Sequence, residues 1–371
     1  MTQAVPLSAE APPAATPPEL GKTPRRPGWR RLLVLGPLVA LVVAALLPYL
    51  QLPLPGILDG PFNTYGNLQL FATCLVFGGL AASYDLLFGR TGLLSFGHAL
   101  YFAAGMYGTD VLVTRAHLPL WQAAVFTLVG ATILAALLGA IALRTTGIAF
   151  AMVTLAFAQV GAILVARDFG GLTGGEEGLP IDGERLPDFL LGVGNTVNLY
   201  WLALAYVALV VFVIARVAGS PTGRVLAGLR DDERRVGVLG LDPYRYKLVA
   251  FTLAGGLASL GGVVYVLILG GANPHVTSSE LTLSLLVMVV LGGPGTRWGP
   301  VLGGILYMYL DHRLTSLAAD LPGPLGQPLF VLGAIFILAV YFFPGGLASL
   351  RGRVALVSAA LGRRRKDETV S

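Results

Sequence analysis

Apolar stretches of membrane-crossing length recur along the chain, at about 32–50, 68–88, 93–113, 120–143, 147–166, 199–217, 248–270, 299–315 and 327–343. A tenth, Leu281–Gly293, is shorter. A hydrocarbon core about 30 Å thick takes around 20 helical residues to cross. The pattern therefore predicts an all-α polytopic membrane bundle of about ten transmembrane helices. Small residues four apart recur inside the stretches, as at Ala254, Ala258 and Gly262 and at Gly299 and Gly303. Such spacings let helix backbones approach closely in lipid. Composition agrees: of 371 residues 55% are hydrophobic and 12% charged, with a mean hydropathy of +0.75. Soluble domains carry about 25% charged residues, so a soluble globular protein is excluded.

Charge orients the spans. With ten crossings and an inward N-terminus, Arg115, Arg167, Arg185 and Arg313 are the Lys and Arg residues left outside, and the other 21 of 25 lie inside. That asymmetry satisfies the positive-inside rule. It also bears on Leu281–Gly293. If this stretch did not cross, the C-terminal tail with Arg351, Arg353, Arg363, Arg364, Arg365 and Lys366 would face outward, so the stretch is read as a short crossing segment. The expected organisation is a disordered basic cytoplasmic tail over 1–31, a transmembrane domain over 32–346 and a basic cytoplasmic tail over 347–371. Arg25, Arg26, Arg30 and Arg31 before Leu32–Leu50 resemble a signal-peptide charge pattern, but the apolar stretch is long and no small-x-small cleavage site follows.

Two loops stand out. The outer loop 167–198 sets Asp168, Glu176, Glu177, Asp182, Glu184 and Asp188 against two arginines around a Gly-rich centre. The inner loop, about 218–247, is punctuated by Pro221 and Gly223 at its start and by Gly240 and Pro243 at its end. Between them Val225, Leu226, Leu229, Val236 and Leu239 form an expected apolar edge beside the cluster at 230–235, RDDERR. Mixed charge of this kind suits a protein partner better than anionic lipid, which repels acids.

Catalytic chemistry finds no support. GKT at 21–23 lacks the first glycine of a phosphate loop, since Thr16 stands in its place. The four histidines, His98, His117, His275 and His312, show no ligand spacing, and Cys74 stands alone, so neither a metal site nor an intramolecular disulfide is expected. Ionisable residues inside spans are few: Asp85, which can pair with Arg90, then His98, Asp110, Asp311 and His312. A proton-driven carrier would carry several carboxylates at mid-membrane. The energy source is therefore expected outside this chain.

Several segments together resemble one family. They are GRTGLLSFGH at 89–98, RTTGIAFAMVTL at 144–155, LTGGEEG at 172–178, GRVLAGLRDDE at 223–233 with YKLVAF at 246–251, and MVVLGGPG at 288–295 followed by Gly299 and Pro300. In this order they resemble the permease subunit of ABC importers for branched-chain amino acids, the LivM type, from about Gly66 to Gly346. The resemblance implies a subunit moving leucine, isoleucine and valine by alternating access. Its partners would be two cytoplasmic ABC ATPases, a second homologous permease and an extracytoplasmic binding protein, in the bacterial inner membrane with both termini cytoplasmic. No cofactor is expected in this chain, ATP being bound by the partner subunits. Segment 223–240 would be the coupling helix, with Arg230, Asp231 and Glu233 as ATPase contacts and Gly237 and Gly240 permitting close approach or ending the helix. Gly92, Ser95, Gly97, His98, Gly292 and Gly293 are candidates for pathway lining or helix packing. Urea, a short amide or another small metabolite is the alternative cargo, and an ion-coupled secondary carrier the alternative mechanism. Two five-span halves related by inversion are expected, though no internal sequence repeat marks them.

Overall fold

The structure is a computed structural model. It describes residues 44–49, 61, 63–190, 193–318, 327–342 and 345–347. Both tails, but for Leu347, and the expected first span, 32–50, except for 44–49, lie outside the described residues.

Eleven α-helices follow in order: α1 (Tyr65–Thr91), α2 (His98–Thr114), α3 (Leu120–Ala142), α4 (Ile148–Ala166), α5 (Thr196–Gly219), α6 (Pro221–Asp231), α7 (Glu233–Val238), α8 (Pro243–Leu269), α9 (Ser279–Gly292), α10 (Gly299–Ala318) and α11 (Pro328–Phe342). Of these, α1, α3, α4, α5 and α8 are long and apolar enough to cross a membrane. Two short strands, β1 (Leu179–Pro180) and β2 (Gly271–Ala272), pair antiparallel and tie the loop after α4 to the end of α8.

The bundle is ordered by burial. The 27-residue helices α1 and α8 run through its centre, with Leu80, Ala81, Ala254 and Ala258 fully enclosed. On the outside, α3 and α4 expose Phe126, Ile133, Leu137, Met152 and Ile163. Exposed apolar faces of this kind are stable only in lipid or against another apolar surface. The small-residue spacings become backbone contacts. A Cβ on Gly105 would overlap the Ser259 carbonyl, and one on Gly262 the Phe102 carbonyl, so α2 and α8 pack without intervening side chains. Gly303 meets the Met288 carbonyl in the same way where α10 crosses α9.

Two crossings are interrupted. The span expected at 93–113 begins as helix only at His98, and residues 92–97 form a non-helical lead-in. The short stretch Leu281–Gly293 belongs to α9, whose 14 residues rise about 21 Å. Its lead-in, from Gly270 to Ser278, contains β2 and the 3₁₀ turn Pro274–Thr277. The chain that leads into that short apolar run is thus not α-helical.

The interruptions expose a repeat that the sequence hides, with α1 and α8 antiparallel, the Gln69 amide at the start of α1 donating to the Ile268 carbonyl at the end of α8 at 3.2 Å. Both α1 and α8 have 27 residues, and each ends on a left-handed glycine, Gly92 (φ 76°) and Gly270 (φ 75°). Each is followed by a non-helical lead-in and a shorter helix, α2 or α9. Helix α3 packs on α8 as α10 packs on α1, and α2 lies beside α3 as α9 lies beside α10. The first turns of α2 and α9 meet where the Ala99 N–H donates to Thr282 Oγ1 at 3.2 Å.

Candidate functional site

The segment between α5 and α8 is built by its caps. Ser220 accepts the Gly223 N–H at 3.2 Å, and Pro221 occupies the first turn of α6, where its missing N–H costs nothing. Asp232 then breaks the helix, with extended backbone (φ −161°), and caps α7 by accepting the N–H groups of Arg234 and Arg235 at 3.0 and 3.3 Å. One amphipathic segment was expected; two short helices form, because Asp232 satisfies the first donors of the second. Of the expected apolar edge, Leu226, Leu229 and Val236 are buried and Val225 half-buried, but Leu239 is 78% exposed. It falls beyond the end of α7, where the helical period no longer points it inward. Gly240 follows at φ 81° and Gly237 is exposed, with open space at both positions.

The polar residues expected to meet a partner divide. The Arg230 guanidinium donates to the Gly89 carbonyl in the last turn of α1. Glu233 pairs with Lys247 at 2.6 Å, fastening α7 to the start of α8. Asp231 is exposed. Two of the three side chains are thus engaged inside the chain.

Arg230 reaches a node that joins three elements. Asp85, in α1 and 1% exposed, accepts the Gly295 N–H at 2.7 Å from the break between α9 and α10. Arg90 lies 3.7 Å from the Asp85 carboxylate and donates to the Thr296 carbonyl at 3.4 Å. The pairing of Asp85 with Arg90 read from the sequence is present, and the bonds to Gly295 and Gly89 extend it to the α9–α10 break and to α6. A cavity of about 280 Å³ lies between the end of α1, the start of α6 and Gly295. A Cβ on Gly89 would overlap the Asp85 carboxylate and the Gly295 amide, so glycine is required there. Sequence reasoning missed Gly295 as a partner of Asp85 and Gly89 as a partner of Arg230, because 210 and 141 residues separate the pairs.

The other candidate residues pack. His98 is fully buried, with Nε2 2.9 Å from Ser83 Oγ and its ring edge-on to Tyr84. The single Ser83 proton goes to the Leu80 carbonyl at 2.7 Å, so the His98 Nε2–H is the donor. Ser95, also buried, accepts the Gly97 N–H at 3.3 Å. A Cβ on Gly97 would press on the Thr154 carbonyl, and one on Gly292 would overlap Gly299. Gly92 caps α1 and Gly293 (φ 109°) turns the chain out of α9. These contacts are those of helix packing and capping.

At the opposite end, Asp110 accepts the Ala272 N–H at 2.8 Å and the Thr114 hydroxyl at 3.0 Å. Thr114 Oγ1 in turn accepts the Asp182 N–H at 3.1 Å, which fixes the loop over 167–198 to α2. Asp168 organises the Gly-rich centre, accepting the backbone N–H groups of Thr173 and Gly174 at 2.7 and 3.0 Å and the Thr173 hydroxyl at 3.1 Å. These bonds, the Thr173 N–H foremost, hold its carboxyl below the usual carboxylate range. Among the described residues no cluster of His, Cys, Asp and Glu could hold a metal ion.

Comparison with known proteins gives this architecture a family. The chain is 27% identical to the high-affinity branched-chain amino acid transport system permease protein LivM of Escherichia coli, over 76% of this chain and 70% of that protein. The LivM protein of Salmonella typhimurium matches at the same identity and coverage. The autoinducer 2 import system permease protein LsrC of Escherichia coli is 30% identical, over 47% of this chain and 50% of that protein. The family described as branched-chain amino acid transport system / permease component matches residues 67–340. The chain, with its membrane-crossing helical bundle, belongs to that permease family.

Proposed function

We propose that the chain is the membrane subunit of an ATP-driven importer for branched-chain amino acids, and that α6 and α7 receive its ATPases. The distribution of Lys and Arg supports a cytoplasmic position for the end carrying Asp85, Arg230 and Gly295 and an outer position for the loop 167–198. The observation that carries the reading is the contact of Arg230 with Gly89 beside the Asp85–Gly295 hydrogen bond. A displacement of α6 by a moving ATPase is passed through it to the end of α1 and to the α9–α10 break. Energy enters by this route because no nucleotide motif occurs in the chain. A second, similar permease completes the pathway, a binding protein delivers cargo to the outer loops, and the assembly sits in a bacterial inner membrane.

The test is uptake of radiolabelled leucine by vesicles containing the assembled complex. ATP-dependent uptake, competed by isoleucine and valine but not by urea or acetamide, is the expected result. Uptake without ATPases, driven by an imposed ion gradient, would overturn the mechanism. ATP-dependent uptake competed only by a different solute would overturn the cargo; the similarity to LsrC, named as an autoinducer 2 permease, makes that arm informative.

A further inference from the structure

Helix α4 presents an apolar face, with Ile148, Met152, Val160 and Ile163 all exposed, interrupted by one exposed amide, Gln159. Gln159 is eleven residues from Ile148 and seven from Ala166. At 1.5 Å per residue it stands about 16 Å from one end of the helix and about 10 Å from the other, well inside a hydrocarbon core about 30 Å thick. Its Nε2 donates to Ser279 Oγ at 3.1 Å. The next residue, Glu280, is exposed in the first turn of α9, and no ion pair engages it within the described residues.

A second observation fixes the depth independently. Thr282, one turn along α9, accepts the Ala99 N–H, and Ala99 is fifteen residues, about 22 Å, from the far end of α2. The lead-in from Gly270 to Ser278 therefore descends deep into the membrane without being α-helix. Irregular backbone at that depth is tolerated only in protein or beside water, and a carboxylate facing lipid is costly. The N-termini of α2 and α9 supply no anion cradle. Side-chain oxygens already accept the Phe96 N–H (Thr154), the Ala99 N–H (Thr282) and the Leu281 N–H (Ser278). What the face offers a solute is the Gln159 amide, the Ser279 hydroxyl and the Glu280 carboxylate.

We propose that Gln159, Ser279 and Glu280 line the aqueous path of the transported solute, on a face that the second permease subunit encloses. Glu280 receives the protonated amine of the solute, and Gln159 and Ser279 carry its polar groups past the otherwise apolar wall of α4. The inference rests on the importer reading, and its test separates the two.

The test uses single cysteines in the assembled complex in vesicles. Cys74, the chain's single cysteine, is buried, so this chain supplies a low background, and the complex with the unsubstituted chain is the control for cysteines of the other subunits. Q159C and E280C are treated with a membrane-impermeant sulfonated thiol reagent beside I133C, an exposed apolar site in the middle of α3. Labelling of both at least tenfold faster than I133C is expected. Labelling no faster than I133C, in a complex that still co-purifies with its ATPases and second permease, overturns the path while leaving the importer. Failure of those partners to co-purify overturns the importer reading itself. E280Q is expected to raise the KM for leucine at least fivefold with kcat kept; an unchanged KM overturns the role of Glu280.

Discussion

Replacing Asp85 tests whether the node at the end of α1 holds three elements together. In D85A the Gly295 N–H loses its acceptor and the Arg90 guanidinium, 15% exposed, loses its counter-ion. Breaking a buried pair by removing one partner costs about 3–5 kcal/mol. Arg90 keeps its bond to the Thr296 carbonyl, which puts the expectation near the lower value. In D85N an amide oxygen still accepts from Gly295, and only the charge is lost. A hydrogen bond to a charged group contributes about 1.5–3 kcal/mol and a neutral one about 0.5–1.5, so D85N costs about 1–2 kcal/mol. At about 2 °C per kcal/mol for a chain above 150 residues, thermal unfolding of the purified complex falls by about 6 °C in D85A and about 2–4 °C in D85N. The D85A/R90A pair should be far less damaging than the sum of its members, because removing both leaves no unpaired charge. A D85A loss no larger than that of D85N, or strict additivity with R90A, would refute the reasoning. Where D85N retains the fold, the importer reading further expects ATP hydrolysis to persist while leucine uptake falls several-fold.

Other outcomes follow from local geometry. G105A puts a methyl group onto the Ser259 carbonyl and is expected to cost about 1–3 kcal/mol, whereas G130A, with open space around it, is neutral or stabilising by up to about 1 kcal/mol; thermal unfolding compares them. G92A forces a side chain into a left-handed cap and should lower stability by about 1 kcal/mol. Asp168 has its carboxyl pKa depressed in the folded loop, so its contribution is present above the unfolded value of about 3.9 and is lost as pH falls through the folded value. Hydrogen exchange at Thr173 and Gly174 should accelerate at that acid edge in the wild type. D168N should show faster exchange already at neutral pH with no further acid step.

The helical class, five of the membrane-crossing segments and the charge asymmetry were readable in the order of residues. Each is a local property: lipid requires backbone groups to be satisfied within the segment, so a long apolar run has few alternatives to a helix. The five family motifs were legible for the same reason, as short contiguous strings that fold into helix ends and the turns beside them. The pairing of Asp85 with Arg90, five residues apart, could be anticipated from spacing alone. The helix break at Asp232 was not, because the competition between one continuous helix and two capped ones is settled by a single side chain.

Tertiary structure alone decided the rest. Gly295 and Asp85 are 210 positions apart, and nothing in the intervening pattern says which backbone amide a buried carboxylate will take. Arg230, read from the sequence as a partner contact, also meets the Gly89 carbonyl, since a cation beside the orphan carbonyls of a helix end finds an acceptor within its own chain. The inversion of the two halves is carried by helix lengths, glycine caps and broken lead-ins, not by matching side chains. Packing constrains where backbones approach and leaves the residues between free to differ. Gln159 likewise reads in the sequence as one amide in an apolar helix. Only the fold sets it against Ser279, next to Glu280, where the cost of exposing polar groups to lipid gives their position a meaning.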